Sequence, residues 1–223
     1  PANPTGAAID REGLADLVST CTRLGVRFIS DEIYHGLDYR GPSVSALELT
    51  RDAIVINSFS KYYCMTGWRI GWMAMPQELI RRTEILQQNL FISAPTLSQL
   101  AATVALGERD YAEEQKAGYA RNRLLLGDGL RQLGFDIGPP SEGAFYAYAD
   151  IGHFSNDAMD FCHRLLNEAG VAATPGVDFD RTNGNRFVRF SYAGNEKEMI
   201  HAAPNLSALP LAAELRPIVE PFP

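Results

Sequence analysis

Between Arg11 and Leu24 the apolar residues Leu14, Leu17, Val18 and Cys21 fall on one helical face, and Asp10 stands where a helix cap is needed. The pattern predicts a helix over 11–24, stopped by Gly25. Val26-Arg27-Phe28-Ile29-Ser30 then predicts a short buried strand ending at Asp31. Past a loop through Gly41-Pro42, residues 53–58 and 70–75 predict two further strands, the second stopped by Pro76. Helical periodicity follows over 77–90 and 96–106, and again from Asp110 to about Leu133, where Gly134 closes it. Helices alternating with strands in this way indicate an α/β domain whose ligands gather at strand ends.

Beyond the long helix the pattern changes. Residues 144–149 alternate as a strand, 157–169 repeat as a helix, and 171–173 and 187–192 predict short strands. This describes a smaller α+β domain, with a division near 1–115 and 116–223 and a boundary anywhere in 110–135. Glu196–Ala203 begins a helix, but Pro204, Pro210, Pro217 and Pro221 prevent a long one. The opening Pro1-Ala2-Asn3-Pro4-Thr5-Gly6 is turn chemistry that normally follows a strand, and no initiator methionine precedes it. The chain is therefore expected to be a piece of something longer.

Composition narrows the function classes. The chain has 223 residues, enough to bury a core, and at 46% hydrophobic and 21% charged it reads as an ordinary globular protein. A net charge of −7 with no basic stripe argues against a nucleic-acid partner. No apolar run is long enough to span a bilayer and no segment reads as a signal peptide, so no membrane partner is expected. Cys21, Cys64 and Cys162 form neither a CxxC pair nor a disulfide framework, which suits reduced thiols and a cytoplasmic location. His35, His153, His163 and His201 share no metal-ligand spacing, so no metal site is expected.

The candidate chemistry centres on Ser58-Phe59-Ser60-Lys61 and on Arg69 within Gly67-Trp68-Arg69-Ile70-Gly71. A single lysine is ordinarily a solvated surface charge. Here it follows an apolar strand in a weakly charged segment, with hydroxyls before it and an arginine beyond. That setting suits a nucleophilic amine, with donors to hold a phosphate, and points to pyridoxal phosphate (PLP). Asp31 can act as a cap or loop charge, or as the acid that keeps the PLP pyridine nitrogen protonated. Tyr34 and Asn3 can donate to the phenolic oxygen of the cofactor. In Arg186–Tyr192, alternation puts Phe187, Arg189 and Ser191 on one face. Arg189 is then either an edge-strand charge facing water or a bidentate clamp for a substrate carboxylate.

Asn-Pro-Thr-Gly at 3–6, Asp31 with Tyr34, Ser58-x-Ser60-Lys61, Gly67–Gly71 and Arg189-Phe190-Ser191-Tyr192 occur in the order and spacing of a known family. From Asn3 to about Glu198 the chain resembles class I/II aminotransferases, fold-type I PLP enzymes related to aspartate aminotransferase. The resemblance implies part of a PLP-binding large domain, with a mostly parallel sheet and helices on both faces, followed by a small α+β domain. It implies Lys61 as the Schiff-base lysine and proton shuttle, Asp31 at the pyridine nitrogen, and Asn3 and Tyr34 at the phenolic oxygen. It also implies Ser58 and Arg69 at the phosphate with Ser60 nearby, Arg189 at the substrate α-carboxylate, and a homodimer. The substrates would be an α-amino acid and a 2-oxo acid. A phosphate loop, a stacking aromatic and further strands would lie upstream of Pro1, so residues 1–223 alone are expected to be poorly soluble or to bind PLP weakly. The Pro-rich tail after about His201 departs from the family's amphipathic final helix.

Two other readings share these residues. A PLP-dependent lyase, of the C–S lyase or decarboxylase type, would use the same core, because surrounding contacts decide which bond breaks. A non-catalytic C-terminal remnant would keep the fold without the reaction.

Overall fold

A computed structural model describes residues 1–200. Packing divides the described residues into two compact units, the first Pro1–Ala2, Ala7–Lys116 and Glu142–Ala144, the second Asn3–Gly6, Ala117–Ser141 and residues 145–200.

The first unit opens with α1 (Arg11–Arg23), whose cap Asp10 accepts from the Gly13 amide and which buries Leu14 and Val18. Gly25 is left-handed, and the Val26 amide returns to the Cys21 carbonyl at 2.9 Å. That closure holds Val26, so β1 is only Ile29–Asp31 rather than the longer strand expected from residue 26. β2 (Ile54–Ser58) pairs parallel with β1, and β3 (Gly71–Ala74) pairs antiparallel with β2, giving the order β1-β2-β3. Of the mostly parallel sheet that the family resemblance implies, one of the two described pairs is parallel. α2 (Gln77–Leu90) and α3 (Thr96–Ala105) follow where the periodicity put helices, as does α4 (Arg109–Gln132), whose residues from Ala117 on belong to the second unit. Ala46, Ala53 and Val55 form one small core, and Phe59, Met65 and Ala102 another.

The second unit holds β4 (Tyr146–Asp150), α5 (Ala158–Ala169), β5 (Thr174–Pro175) and β6 (Phe187–Ser191), with β6 central in an antiparallel sheet of order β4-β6-β5. Two boundaries differ from the sequence pattern. Ala144 takes a left-handed φ of 58°, which no extended strand permits, so β4 starts at Tyr146. The Val171 amide is used to close α5 against the Leu165 carbonyl at 3.0 Å, so pairing with β6 begins at Thr174 instead of 171–173. Phe135, Phe154, Phe161 and Phe190 pack ring to ring at 4.6–6.1 Å between centroids and form the centre of this core. The expected continuation of the last helix to Ala203 and the Pro-rich tail lie outside the described residues. No helix among the described residues is long and apolar enough to cross a membrane.

Candidate active site

Asp31 ends β1 and Ser58 ends β2, and because these strands are parallel their carboxyl ends share one edge of the sheet. Asp31 stands in register with Ile56, and alternation carries Asp31, Ile56 and Ser58 onto the same face. The Asp31 carboxylate accepts the Ile33 amide at 3.1 Å, which starts the turn that carries buried Tyr34. Past Ser58 the chain turns sharply, and the Ser60 amide donates to the Ser58 hydroxyl oxygen at 3.0 Å. The two hydroxyls are 2.9 Å apart, and the Ser58 oxygen is also 3.0 Å from the Ile70 carbonyl. Ser58 has one proton for those two acceptors. When it goes to Ile70, the proton of buried Ser60 is available to the Ser58 oxygen or to an anion.

The same bond brings Ile70, the neighbour of Arg69, onto the hydroxyl pair. Arg69 closes the 3-10 turn Thr66–Trp68 in a left-handed conformation at φ 51°, and its Nη1 donates to the Thr66 carbonyl at 2.8 Å. A side chain other than glycine pays about 1–2 kcal/mol there, so the tight turn is imposed by its surroundings. Gly71 faces Ser58 across the ladder, and a Cβ on it would lie 2.7 Å from the Asn57 carbonyl and 3.3 Å from Ser58 Cα. Only glycine lets β3 close on β2 at this point.

Lys61 is half-buried, with Nζ 5.7 Å from the centroid of the Tyr34 ring, and the Cys64 amide donates to its carbonyl at 3.1 Å. Phe59 beside it is anchored among Met65, Ala102 and the rings of Tyr63 and Trp72. Burial, then the 2.5 Å hydrogen bond to Glu113, holds the Tyr62 phenol well above the usual tyrosine range. It therefore stays neutral and keeps its proton on the bond to Glu113. The first unit thus gathers Asp31, Tyr34, Ser58, Ser60, Lys61 and Arg69 in β1, β2 and the segments that follow them.

The second unit carries the remaining two candidates, and it brings them into direct contact. Arg189 of β6 donates from Nη1 to Asn3 Oδ1 at 2.6 Å and from Nη2 to the Thr174 hydroxyl at 3.1 Å. Its guanidinium lies between the Tyr146 ring at 4.3 Å and the Phe179 ring at 4.8 Å. Its Nε is buried and has no hydrogen-bond partner. A solvated edge-strand arginine would show neither the two rings nor the buried donor. With Oδ1 engaged, the Asn3 amide group presents its NH2 as a donor. Sequence reading found Arg189 and Asn3 but not their bond, and it missed Thr174, Tyr146, Phe179 and the need for Gly71. Tyr146 was legible as part of an alternating strand; nothing local marks Thr174, whose place opposite Arg189 comes from the β5–β6 register.

The family described as aminotransferase class I and II matches residues 1–206. The chain is 51% identical over 198 residues to a valine–pyruvate aminotransferase of Mycobacterium tuberculosis, covering 87% of this chain and 51% of that protein. It is 41% identical over 201 residues to a (5-formylfuran-3-yl)methyl phosphate transaminase of Methanocaldococcus jannaschii, covering 87% and 52%. Among solved structures, an aminotransferase from Mycobacterium tuberculosis superposes with a TM-score of 0.88 at 47% identity, covering 94% of this chain and 56% of that one. An aspartate aminotransferase double mutant from Thermus thermophilus gives 0.86 at 34% identity, covering 94% and 55%. The chain spans about half the length of the curated relatives it matches. With the motifs, the fold and these relatives in agreement, this chain belongs to the class I and II aminotransferases.

Proposed function

We propose that the protein is a PLP-dependent aminotransferase that moves an amino group between an α-amino acid and a 2-oxo acid. The residues present fit the cofactor: an amine, a carboxylate at a strand end, a phenol, and for the phosphate two hydroxyls with an arginine close in the chain. When bound, PLP supplies the aldehyde that condenses with an amine and the ring that accepts electrons from the substrate carbon.

Each side chain then has a task. Ser58, Ser60 and Arg69 would hold the phosphate as charge-assisted donors. Asp31 would keep the pyridine nitrogen protonated, and Tyr34 and the Asn3 NH2 would donate to the phenolic oxygen. Lys61 Nζ would be the attachment point and would carry the proton between the substrate Cα and the cofactor carbon, acting as general base and then acid. Arg189 would bind the substrate carboxylate through its guanidinium, the charge of which its neutral partners Asn3 and Thr174 leave uncancelled. Tyr146 and Phe179, with ring centroids 4.3 and 4.8 Å from it, would help hold that guanidinium in place.

We further infer that the first unit is the C-terminal part of the large PLP-binding domain and the second the small domain. A homodimer in the cytoplasm is the setting we propose. Three free cysteines are compatible with that compartment. The exposed apolar run Leu90, Phe91 and Ile92, with Leu97, Leu100 and Val104 of α3, supports a covered surface in the assembled protein.

The observation that carries the reading is the gathering of Asp31, Ser58 and the Lys61–Tyr34 pair beyond the carboxyl ends of a parallel strand pair. Borohydride reduction of the intact protein with PLP, followed by peptide mapping, tests it. A pyridoxyl group on Lys61, lost in Lys61→Ala, together with turnover that requires a 2-oxo acid acceptor, is the expected result. No label on Lys61 would overturn it, as would ammonia release without an acceptor.

A further inference from the structure

We propose that Glu32 is a positioning residue, whose buried carboxylate fixes the turn carrying Asp31 and Tyr34. This rests on the reading of those two residues as cofactor contacts. Glu32 follows Asp31 directly and is 3% exposed, and no step of the proposed reaction uses it. Its Oε1 accepts the Ala46 amide at 2.8 Å and the Ser45 hydroxyl at 3.1 Å, and its Oε2 is 3.1 Å from His35 Nδ1.

One carboxylate therefore joins the residue after Asp31, the residue after Tyr34, and the start of the 3-10 turn Ala46–Glu48. That turn is a firm anchor. Ser45 caps it through a reciprocal bond with Glu48, and Ala46 is fully buried against Ala53 and Val55. The backbone agrees: the Glu32 amide extends the strand ladder to the Ile56 carbonyl at 2.8 Å, and the His35 amide folds back on the Glu32 carbonyl at 2.9 Å.

Burial alone would raise the Glu32 carboxyl, but the bonds from His35, Ala46 and Ser45 outweigh it and the net direction is down. The group is held charged in the interior by directed donors. An apolar side chain could fill the space, but it could not tie these three points together.

The test uses the intact protein as wild type, Glu32→Ala and Glu32→Gln, with amide hydrogen exchange measured without cofactor. Titration with PLP then gives its Kd, and the pH midpoint of its bound absorbance is recorded. In Glu32→Ala, exchange should quicken over residues 31–37 ahead of the rest of the chain. The Kd should weaken on the order of tenfold and the midpoint should move, as a displaced Asp31 and Tyr34 require. Glu32→Gln should restore all three, because its amide oxygen accepts from Ala46 and Ser45 while its NH2 can donate to His35 Nδ1 in the tautomer that leaves that nitrogen a lone pair.

Unchanged exchange, Kd and midpoint in Glu32→Ala would overturn the proposal. Quickening spread evenly over the chain would do the same, as would a glutamine that fails to rescue. If Glu32→Ala does not fold, Ser45→Ala decides by the same readouts, with local loosening expected and wild-type behaviour fatal. Failure of the wild type to take up PLP at Lys61 would instead sink the proposed function, while the exchange data still decide the role of Glu32.

Discussion

Arg189 shows how a single side chain acquires a role from its neighbours. Two rings and two neutral acceptors hold the guanidinium without cancelling its charge, which leaves it available to an anion. Arg189→Ala should lower kcat/KM for an amino acid by about 1.5–3 kcal/mol, roughly tenfold to a hundredfold, through the loss of hydrogen bonds to a charged group. Steady-state kinetics would show this mainly in KM, with the proposed pyridoxyl label at Lys61 retained. Arg189→Lys should recover little, since an ammonium cannot reproduce the planar fork between Tyr146 and Phe179. Cys162 makes the opposite case. Burial, with Asp178 nearby, pushes its thiol up to about 11, so almost no thiolate exists at neutral pH. In the folded protein at pH 8, alkylation of Cys162 should lag far behind alkylation of the denatured chain, as mass spectrometry would reveal. Because the folded thiol holds its proton more tightly, its contribution to stability is complete below the unfolded value of 9.0 and is lost as pH rises through about 11.

At the scale of elements, the site depends on where strands stop. Asp31 and Ser58 stand in the candidate site because β1 and β2 end there, and Arg69 lies close because β3 begins two residues after it, opposite Ser58. Gly71 is the hinge of that arrangement. Gly71→Ala should push the start of β3 away from the Asn57 carbonyl and weaken the Ser58–Ile70 contact. The expected outcome is a loss of about 1–3 kcal/mol in unfolding free energy, as for other overpacked sites, with a PLP Kd raised at least several-fold. Denaturant titration and PLP titration check the two effects separately. An alanine variant with wild-type values in both would show that β3 can shift without cost.

For the whole molecule, the distribution of apolar surface matters most. α2 buries none of its residues, and Leu86, Leu90, Phe91, Ile92 and Leu97 are each more than 60% exposed. One face of the first sheet also leaves Ile29, Ile56 and Met73 open beside Asp31 and Ser58. Contiguous apolar surface of this kind drives association in water, and an unpaired strand edge adds to it. Residues 1–223 expressed alone should therefore sediment as oligomers or aggregates, with PLP bound weakly. A monodisperse monomer with full PLP occupancy in analytical ultracentrifugation would contradict this.

Local pattern sufficed for α1, α2, α3 and α4, since caps, periodicity and glycine stops act within a few residues. It also sufficed for Lys61, Asp31 and Arg69 as candidates, because their chemistry is written in short motifs. The strand limits at Val26, Ala144 and Val171 needed the structure, where long-range or helix-closing bonds overrode strand propensity. The amino-acid sequence by itself determined the helices, the reactive groups and the family they resemble. Only the tertiary structure decided that Arg189 is held by Asn3 and Thr174, that Gly71 must lack a side chain, and that Glu32 is buried under three donors. The reason is physical: apart from His35, three positions from Glu32, these depend on residues 13 to 186 positions apart meeting in space, and no local propensity encodes such meetings.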